Sequence, residues 1–295
     1  MAYLYICAAS LMFGVQSAFT KKYQKNAGDG IKSAFIYNAT SPLLFIVIMF
    51  IYNGGVLSCT LFSFVMAVIW AVLCNVMSFF QIKALSHGNI ANYSLFLLGG
   101  GMILPIVYGI ICGEAFSAFK IAGIILVCVA IAIKIDVKEK SDAKTLGCLI
   151  LIFILNGLFG VLSAIYQSDL FAFEKVGSEQ FSVLRGIFTA ALGGIMYCFA
   201  VLFYKNNKAE TKDVNSKSYL KAMPWSLAGG GINGIANLLL LISLLTVPAS
   251  LQYPIITGGG IFISAVVGLC FKEKTTLKTW LSVAFAVIGT IVMVF

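Results

Sequence analysis

The sequence predicts an all-α, polytopic membrane protein whose ten transmembrane helices form two inverted five-helix repeats. Three observations carry that expectation. First, 60% of the 295 residues are hydrophobic and only 11% are charged, against roughly 25% charged in a soluble globular protein. Lys, Glu, Arg and Asp normally cover the surface, so a chain this poor in them cannot clothe a water-facing fold. Second, apolar runs separated by polar loops recur along the whole length, each long enough for the about 20 residues that a helical span needs. Third, the second half repeats motifs of the first in the same order. Together these exclude an ordinary soluble enzyme, a nucleic-acid-binding module and a disordered tail.

The spans fall at about 2–20, 33–52, 61–82, 91–112, 119–135, 146–166, 180–203, 224–246, 249–271 and 278–295. The first starts apolar at Ala2 with no basic leader or small-residue cleavage site, so it is expected to be a retained span and not a signal peptide. Span two carries Asn38 and Ser41 on one face; span three carries Trp70, Asn75 and Phe79, the last two at i, i+4. Span four holds Tyr93, the triplet Gly99 to Gly101 and Pro105. Span six has a polar-small stripe of Asn156, Gly160 and Ser163, and span seven contains Arg185. Span eight carries Asn233 and Asn237 at i, i+4, and span nine Tyr253, Pro254 and the triplet Gly258 to Gly260. The longest polar connections, Lys134 to Lys144 and Lys205 to Lys221, leave no room for a soluble domain. The alternation expected of a β-barrel strand is missing.

The repeat is visible in three places. Phe13-Gly14-Val15-Gln16-Ser17-Ala18 returns as Phe159-Gly160-Val161-Leu162-Ser163-Ala164, at an offset of 146 residues. The first glycine triplet returns as the second at an offset of 159, which also carries Glu114 onto Glu273. The 13 extra residues lie in the lysine-rich connection after span seven. The two units are 1–135 and 146–295. Five spans is an odd number, so the second unit must enter the membrane the other way up, the plan of many secondary transporters with a site near the midplane. The loops agree: 17 lysines lie in the connections after spans one, three, five, seven and nine, and only Lys120 and Lys175 on the opposite side. The positive-inside rule puts the lysine-rich side in the cytoplasm of a cell membrane, plasma or inner, with both termini outside.

At these residues the chain resembles the drug/metabolite transporter superfamily in its ten-helix EamA-type form. The resemblance is carried by Ala84-Leu85, the glycine-rich span four and Gly113-Glu114, and again by Ser243-Leu244, the second glycine triplet and Glu273. The Phe-Gly-Val-x-Ser-Ala motif stands where members have an aromatic-glycine pair. The resemblance covers essentially the whole chain. It implies a ten-helix basket whose cavity is lined mainly by spans one to four and six to nine, with spans five and ten bracing the periphery, and export or exchange of small metabolites. Two features depart from the family pattern. Many members carry their basic loops with the N-terminus inside, and Gly113-Glu114 becomes Lys272-Glu273 in the second copy.

Candidate substrate-binding residues are the polar, aromatic and helix-breaking residues of the repeated spans: Asn38, Trp70, Asn75, Phe79, Tyr93, Gly99, Asn156, Arg185, Asn233, Asn237, Tyr253 and Gly258. An unpaired amide in hydrocarbon is costly, so the asparagines either face a polar cavity or bond neighbouring helices. The Gly and Pro clusters in spans four and nine read either as exposed backbone at a cavity or as close helix packing through small residues. An arginine at a span centre costs about 2.5–3.5 kcal/mol, so Arg185 snorkels, forms an ion pair, or binds a substrate carboxylate or phosphate. No Asp or Glu lies in mid-span, so the carboxylate relay of a proton-driven pump is not visible; Glu114 and Glu273 stand at apolar-run ends as loop ion-pair candidates. A cationic substrate would need aromatic faces instead.

Other signals are weaker. His87 is the single histidine, which excludes a multi-histidine metal site, and the eight cysteines form no C-x-x-C. They read as buried small apolar residues, and no cofactor or metal is expected. The net charge of +9 sits in loops and implies no nucleic-acid partner. Gly229 to Gly234 fits G-x-G-x-x-G without a preceding strand, and the sequon at Asn38 lies inside a span. The expected function is alternating-access transport of a small polar or amphipathic metabolite, of amino acid, nucleoside or organic cation type. A monomer suffices for the cavity, and membrane lipids are the remaining partners. A lipid or lipid-linked-carrier flippase of the same fold is the alternative. No catalytic nucleophile–histidine pair or paired carboxylates lie at membrane depth, so no enzymatic activity is expected.

Overall fold

Uninterrupted apolar sequence gives long helices. The computed structural model describes residues 1–87, 90–113, 117–134, 140–168, 173–203, 216–272 and 276–293, and every regular element among them is an α-helix. In chain order these are α1 (Ala2–Ala27), α2 (Ile31–Thr40), α3 (Leu43–Tyr52), α4 (Leu61–His87), α5 (Ile90–Ile111), α6 (Ala118–Lys134), α7 (Lys140–Gln167), α8 (Ser178–Phe203), α9 (Ser216–Leu244), α10 (Ala249–Cys270) and α11 (Leu277–Val292). Counting α2 and α3 as one run, eight are long and apolar enough to cross a membrane; α6 and α11 are shorter apolar helices. Exposed apolar side chains follow helical spacing, as in Val65, Ile69, Val72 and Val76 of α4 or Ile121, Ile125 and Val129 of α6. Water would not tolerate so continuous an apolar belt, and the fold is that of a multi-pass membrane protein.

The helix ends differ from the expected spans where lysines stand. α1 continues through Lys21, Lys22 and Lys25 to Ala27, so these lysines are on the helix and not in a loop. Long aliphatic stems let a lysine extend an apolar helix while its ammonium reaches a polar layer. Lys22 places its ammonium 4.1 Å from the ring centre of Trp225 on α9, and Lys25 lies 6.0 Å from that of Phe271 beyond α10. Glu114 and Glu273 lie outside the described residues, as does the His87 side chain.

Spans four and nine are not broken. α5 and α10 run continuously through Pro105 and Pro254, and the glycine triplets serve helix contact. A Cβ on Gly100 would collide with the Phe153 carbonyl of α7, one on Gly258 with Thr290 of α11, and one on Gly259 with the Ser10 hydroxyl of α1. The break falls in span two, where Ser41 and Pro42 separate α2 from α3. Proline offers no N–H and its ring crowds the carbonyl four residues back, here Asn38. Gly230 of α9 closes against the Ser41 backbone, and Gly186 of α8 against Pro42 and Ile46.

Contacts also give the relative directions of α1, α5, α7 and α10. Ser10 donates to the Ile256 carbonyl and Ser264 to the Gly14 carbonyl, so α1 and α10 are parallel. Asn156 donates to the Leu97 carbonyl while Gly160 abuts Pro105, so α7 and α5 are parallel. α10 is antiparallel to α5: Thr257 meets Leu98, and farther along Ile261 and Ala265 join Leu95 and Ala91. α1 therefore runs opposite to α7. The principal contacts are α1 with α9 and α10, α7 with α4 and α5, α5 with α10, α8 with α2 and α4, and α6 with α11. The pair α6 and α11 packs at the periphery through Gly123 and Gly289.

Candidate functional site

The eight inner runs surround a cavity with two adjoining lobes, each of about 120 Å³. A single water needs only about 10–15 Å³ on this measure, so each lobe has room for a small solute. Gln16, Trp70, Cys74, Met77, Gln81, Asn233 and Asn237 line both. Lobe one continues along α5, α7 and α10 past Tyr93, Gly101, Asn156, Gly160, Ser163 and Tyr253. Lobe two continues along α2, α3 and α8 past Asn38, Ser41, Pro42, Ser182, Arg185 and Thr189. Among the described residues, α6 and α11 supply none of the lining.

Of the twelve candidate residues, Asn38, Trp70, Tyr93, Asn156, Arg185, Asn233, Asn237 and Tyr253 come together on these walls. The other four do not line either lobe. Asn75 turns its amide nitrogen to the Ala71 carbonyl at 2.9 Å and the Thr189 carbonyl at 3.4 Å, tying α4 to α8. Phe79 packs against Phe80 and beneath the Lys83 ammonium. Gly99 faces Ile131 and Phe153, and Gly258 faces Thr290. The amide and the glycines lock helices to one another. Asn38, the sequon residue, is 3% exposed.

Most wall amides are held in place. The Asn233 amide donates to the Gln16 side-chain carbonyl at 2.7 Å across the α1–α9 contact, and the Asn237 amide donates to the Asn233 carbonyls at 2.9 and 3.0 Å. Asn156 donates to the Leu97 carbonyl at 2.7 Å; Asn38 donates to the Cys74 carbonyl and accepts from Ser78. Asn38, Asn156 and Asn233 are thus oriented by neighbouring helices, and Asn237 by its own helix. Gln16, Gln81, Cys74 and Thr257 were not among the candidates. Gln16 stands in the repeated Phe-Gly-Val motif, where its counterpart is Leu162, and that mismatch was its signal. The cysteines also depart from expectation: Cys148 is buried and Cys74 lines the cavity, but the other six are exposed on the outer surface.

If the Gln16–Asn233 bridge holds α1 to α9, replacing either residue by Leu strands a buried amide and should lower stability by about 1–3 kcal/mol. The double replacement should lose much less than the sum, read by thermal unfolding in detergent. Additive losses would show that the bridge does not exist.

Arg185 is different. It is 5% exposed, on the second turn of α8. Its guanidinium carbon lies 4.1 Å from the Trp70 ring centre and 5.0 Å from that of Phe181, and Nη2 donates to Ser182 at 2.9 Å. Nη1 is buried without a hydrogen-bond partner among the described residues. Desolvating an ion costs several kcal/mol, and a cation–π contact returns only about 2 kcal/mol. The residue neither snorkels nor forms an ion pair among the described residues, so its charge is under-compensated and it lines lobe two.

No family model matches the chain, and no curated protein matches it in sequence. Eighteen solved chains match its structure. One, a crystal structure, aligns over 99% of this chain and 96% of its own with a TM-score of 0.64 at 15% identity. At that identity the likeness shows a shared fold.

Proposed function

We propose that the protein is a membrane transporter carrying a small polar or amphipathic metabolite by alternating access, through a cavity between two inverted five-helix halves. The observation that carries this reading is the cavity itself, a space between apolar helices with amides, hydroxyls and one arginine on its walls, built from both halves of the chain. The inverted plan with ten spans is supported by helix direction and by matched contacts. α1 against α9 and α10 corresponds to α7 against α4 and α5 when each span is exchanged for the one five places on. The pairs α5–α10, α6–α11 and α2–α8 map onto themselves. In this reading the protein is a transporter of the drug/metabolite superfamily type, in a cell membrane, with its lysine-rich helix ends in the cytoplasm.

The test is a thermal-shift screen of the purified protein against amino acids, nucleosides, sugars and quaternary amines, followed by flux of each stabilising solute into proteoliposomes. A ligand that binds only the folded state raises its melting temperature. At least one soluble solute should both stabilise and move. Stabilisation by lipids alone, with no solute flux, would instead favour a lipid or lipid-linked-carrier flippase of the same fold. One observation keeps that second reading: α2, α8 and α9 leave an apolar crevice of about 330 Å³ between Ile36, Tyr197, Tyr219 and Met223.

A further inference from the structure

Resting on the transport reading, we propose that the solute is a monoanion, in the simplest case a monocarboxylate with a neutral body, and that its carboxylate pairs with Arg185. A buried arginine with one guanidinium nitrogen unpartnered among the described residues, on the wall of a cavity between helices, presents a donor with nothing to donate to. Its planar N–H groups suit a carboxylate. Low dielectric makes each uncompensated charge expensive, so the charge count of the walls selects the ligand.

That count is short. Arg185 is the one charged residue among the described residues lining either lobe; no Asp, Glu or Lys lines them. A monoanion neutralises the site. A phosphate monoester would bring a second negative charge with no cation to meet it, and an organic cation would add to the arginine's charge. The remaining walls mix amides, hydroxyls and rings with aliphatic and sulfur side chains, which suit an uncharged body with hydrogen-bonding and apolar parts. With the carboxylate in lobe two, that body reaches lobe one past Trp70 and the Gln16–Asn233 pair, which border both. Trp70 packs against the guanidinium and Ser182 takes Nη2, leaving Nη1 for the ligand.

The experiment uses acid and amide partners that differ only in charge: phenylacetate with phenylacetamide, and N-acetylphenylalanine with its carboxamide. Phenyl phosphate and phenethyltrimethylammonium are the dianionic and cationic controls. Calorimetry and thermal shift on the purified protein should show the acids binding at least about tenfold more tightly than their amides, the exchange of a charge-assisted bidentate pair for neutral contacts. The controls should bind more weakly than the acids. Arg185→Met should erase the difference, and Arg185→Lys, which keeps the charge but not the planar fork, should keep part of it. Without ligand, Arg185→Met should melt no lower than the parent, because replacing a poorly paired buried charge by an apolar side chain of similar volume is neutral or stabilising. A structural role for Arg185 predicts the reverse.

Acids that do not bind, amides that bind as well, or acid binding unchanged in Arg185→Met would each overturn the proposal. Failure of the transport reading looks different. There, the acids bind through Arg185 yet no solute crosses proteoliposomes. Solute flux unaffected by Arg185→Met leaves transport standing and removes the anion site.

Discussion

Gly100→Leu is expected to leave little folded protein. A Cβ at this position would run into the carbonyl oxygen of Phe153, with the Phe153 carbonyl carbon at 2.6 Å and Cα at 2.7 Å. These are backbone atoms and cannot rotate aside, so α5 and α7 must separate along their whole contact. Separation breaks the Asn156 bond to the Leu97 carbonyl and lifts Gly157 and Gly160 off Leu104 and Pro105. Without a hydrophobic force between helices in lipid, close backbone approach is a main source of cohesion. The loss is expected at about 4 kcal/mol or more, the range reserved for severe packing defects. Gly194→Leu on α8 is the control: nothing lies within 4 Å of its Cβ position, and its effect should stay within about 0.5 kcal/mol. Size-exclusion profile and melting temperature in detergent measure both. A Gly100→Leu protein with parental yield and melting temperature would mean that α5 and α7 do not pack as described.

The membrane class and the approximate place of each helix were legible because hydropathy is a local property of the chain. Span nine was expected at 249–271, and α10 runs Ala249–Cys270. Which face of a helix meets the cavity was much less legible. Lipid tails are as apolar as leucine, so the outer face of α4 carries the same valines and isoleucines as a buried core, and the polar residues of α4 divide between the cavity wall (Gln81) and a helix contact (Asn75). Asn75 and Asn38 look alike in sequence, yet one bonds α8 outside the cavity wall and the other lines lobe two. The glycine triplets were legible as a repeated feature, but both of their readings predict the same residues. Only the position of Phe153 beside Gly100 and of Thr290 beside Gly258 decides for packing. The break in span two was missed because a lone proline after Ser41 is a weaker signal than three consecutive glycines.

A disulfide between Ser17→Cys and Ser94→Cys should arrest transport, reversibly. The two hydroxyls lie 3.1 Å apart and join α1 to α5, toward the lysine-rich end, one residue from the lobe-one residues Gln16 and Tyr93. The offsets that align the two halves carry Ser17 onto Ser163 and Ser94 onto Tyr253. Tyr253 donates to the Gly160 carbonyl at 3.0 Å, with the Ser163 hydroxyl beside it, joining α7 to α10 toward the opposite end. The cavity thus lies between two seams built from matching positions, one at either end. If access alternates, one seam must part while the other stays closed, and a covalent bond across either one removes half of the cycle. Sulfurs in place of the two serine oxygens need only a small approach to reach the disulfide length of about 2.05 Å. With Cys74 replaced by Ser to keep the cavity free of a competing thiol, oxidation should cut proteoliposome flux at least about tenfold, since a protein held in one state cannot cycle. Reduction should restore it, and each single cysteine variant should be insensitive to oxidant. Full flux through the cross-linked protein would mean that the α1–α5 seam stays closed throughout the cycle, and the solute would then need a route past the amides of lobe two.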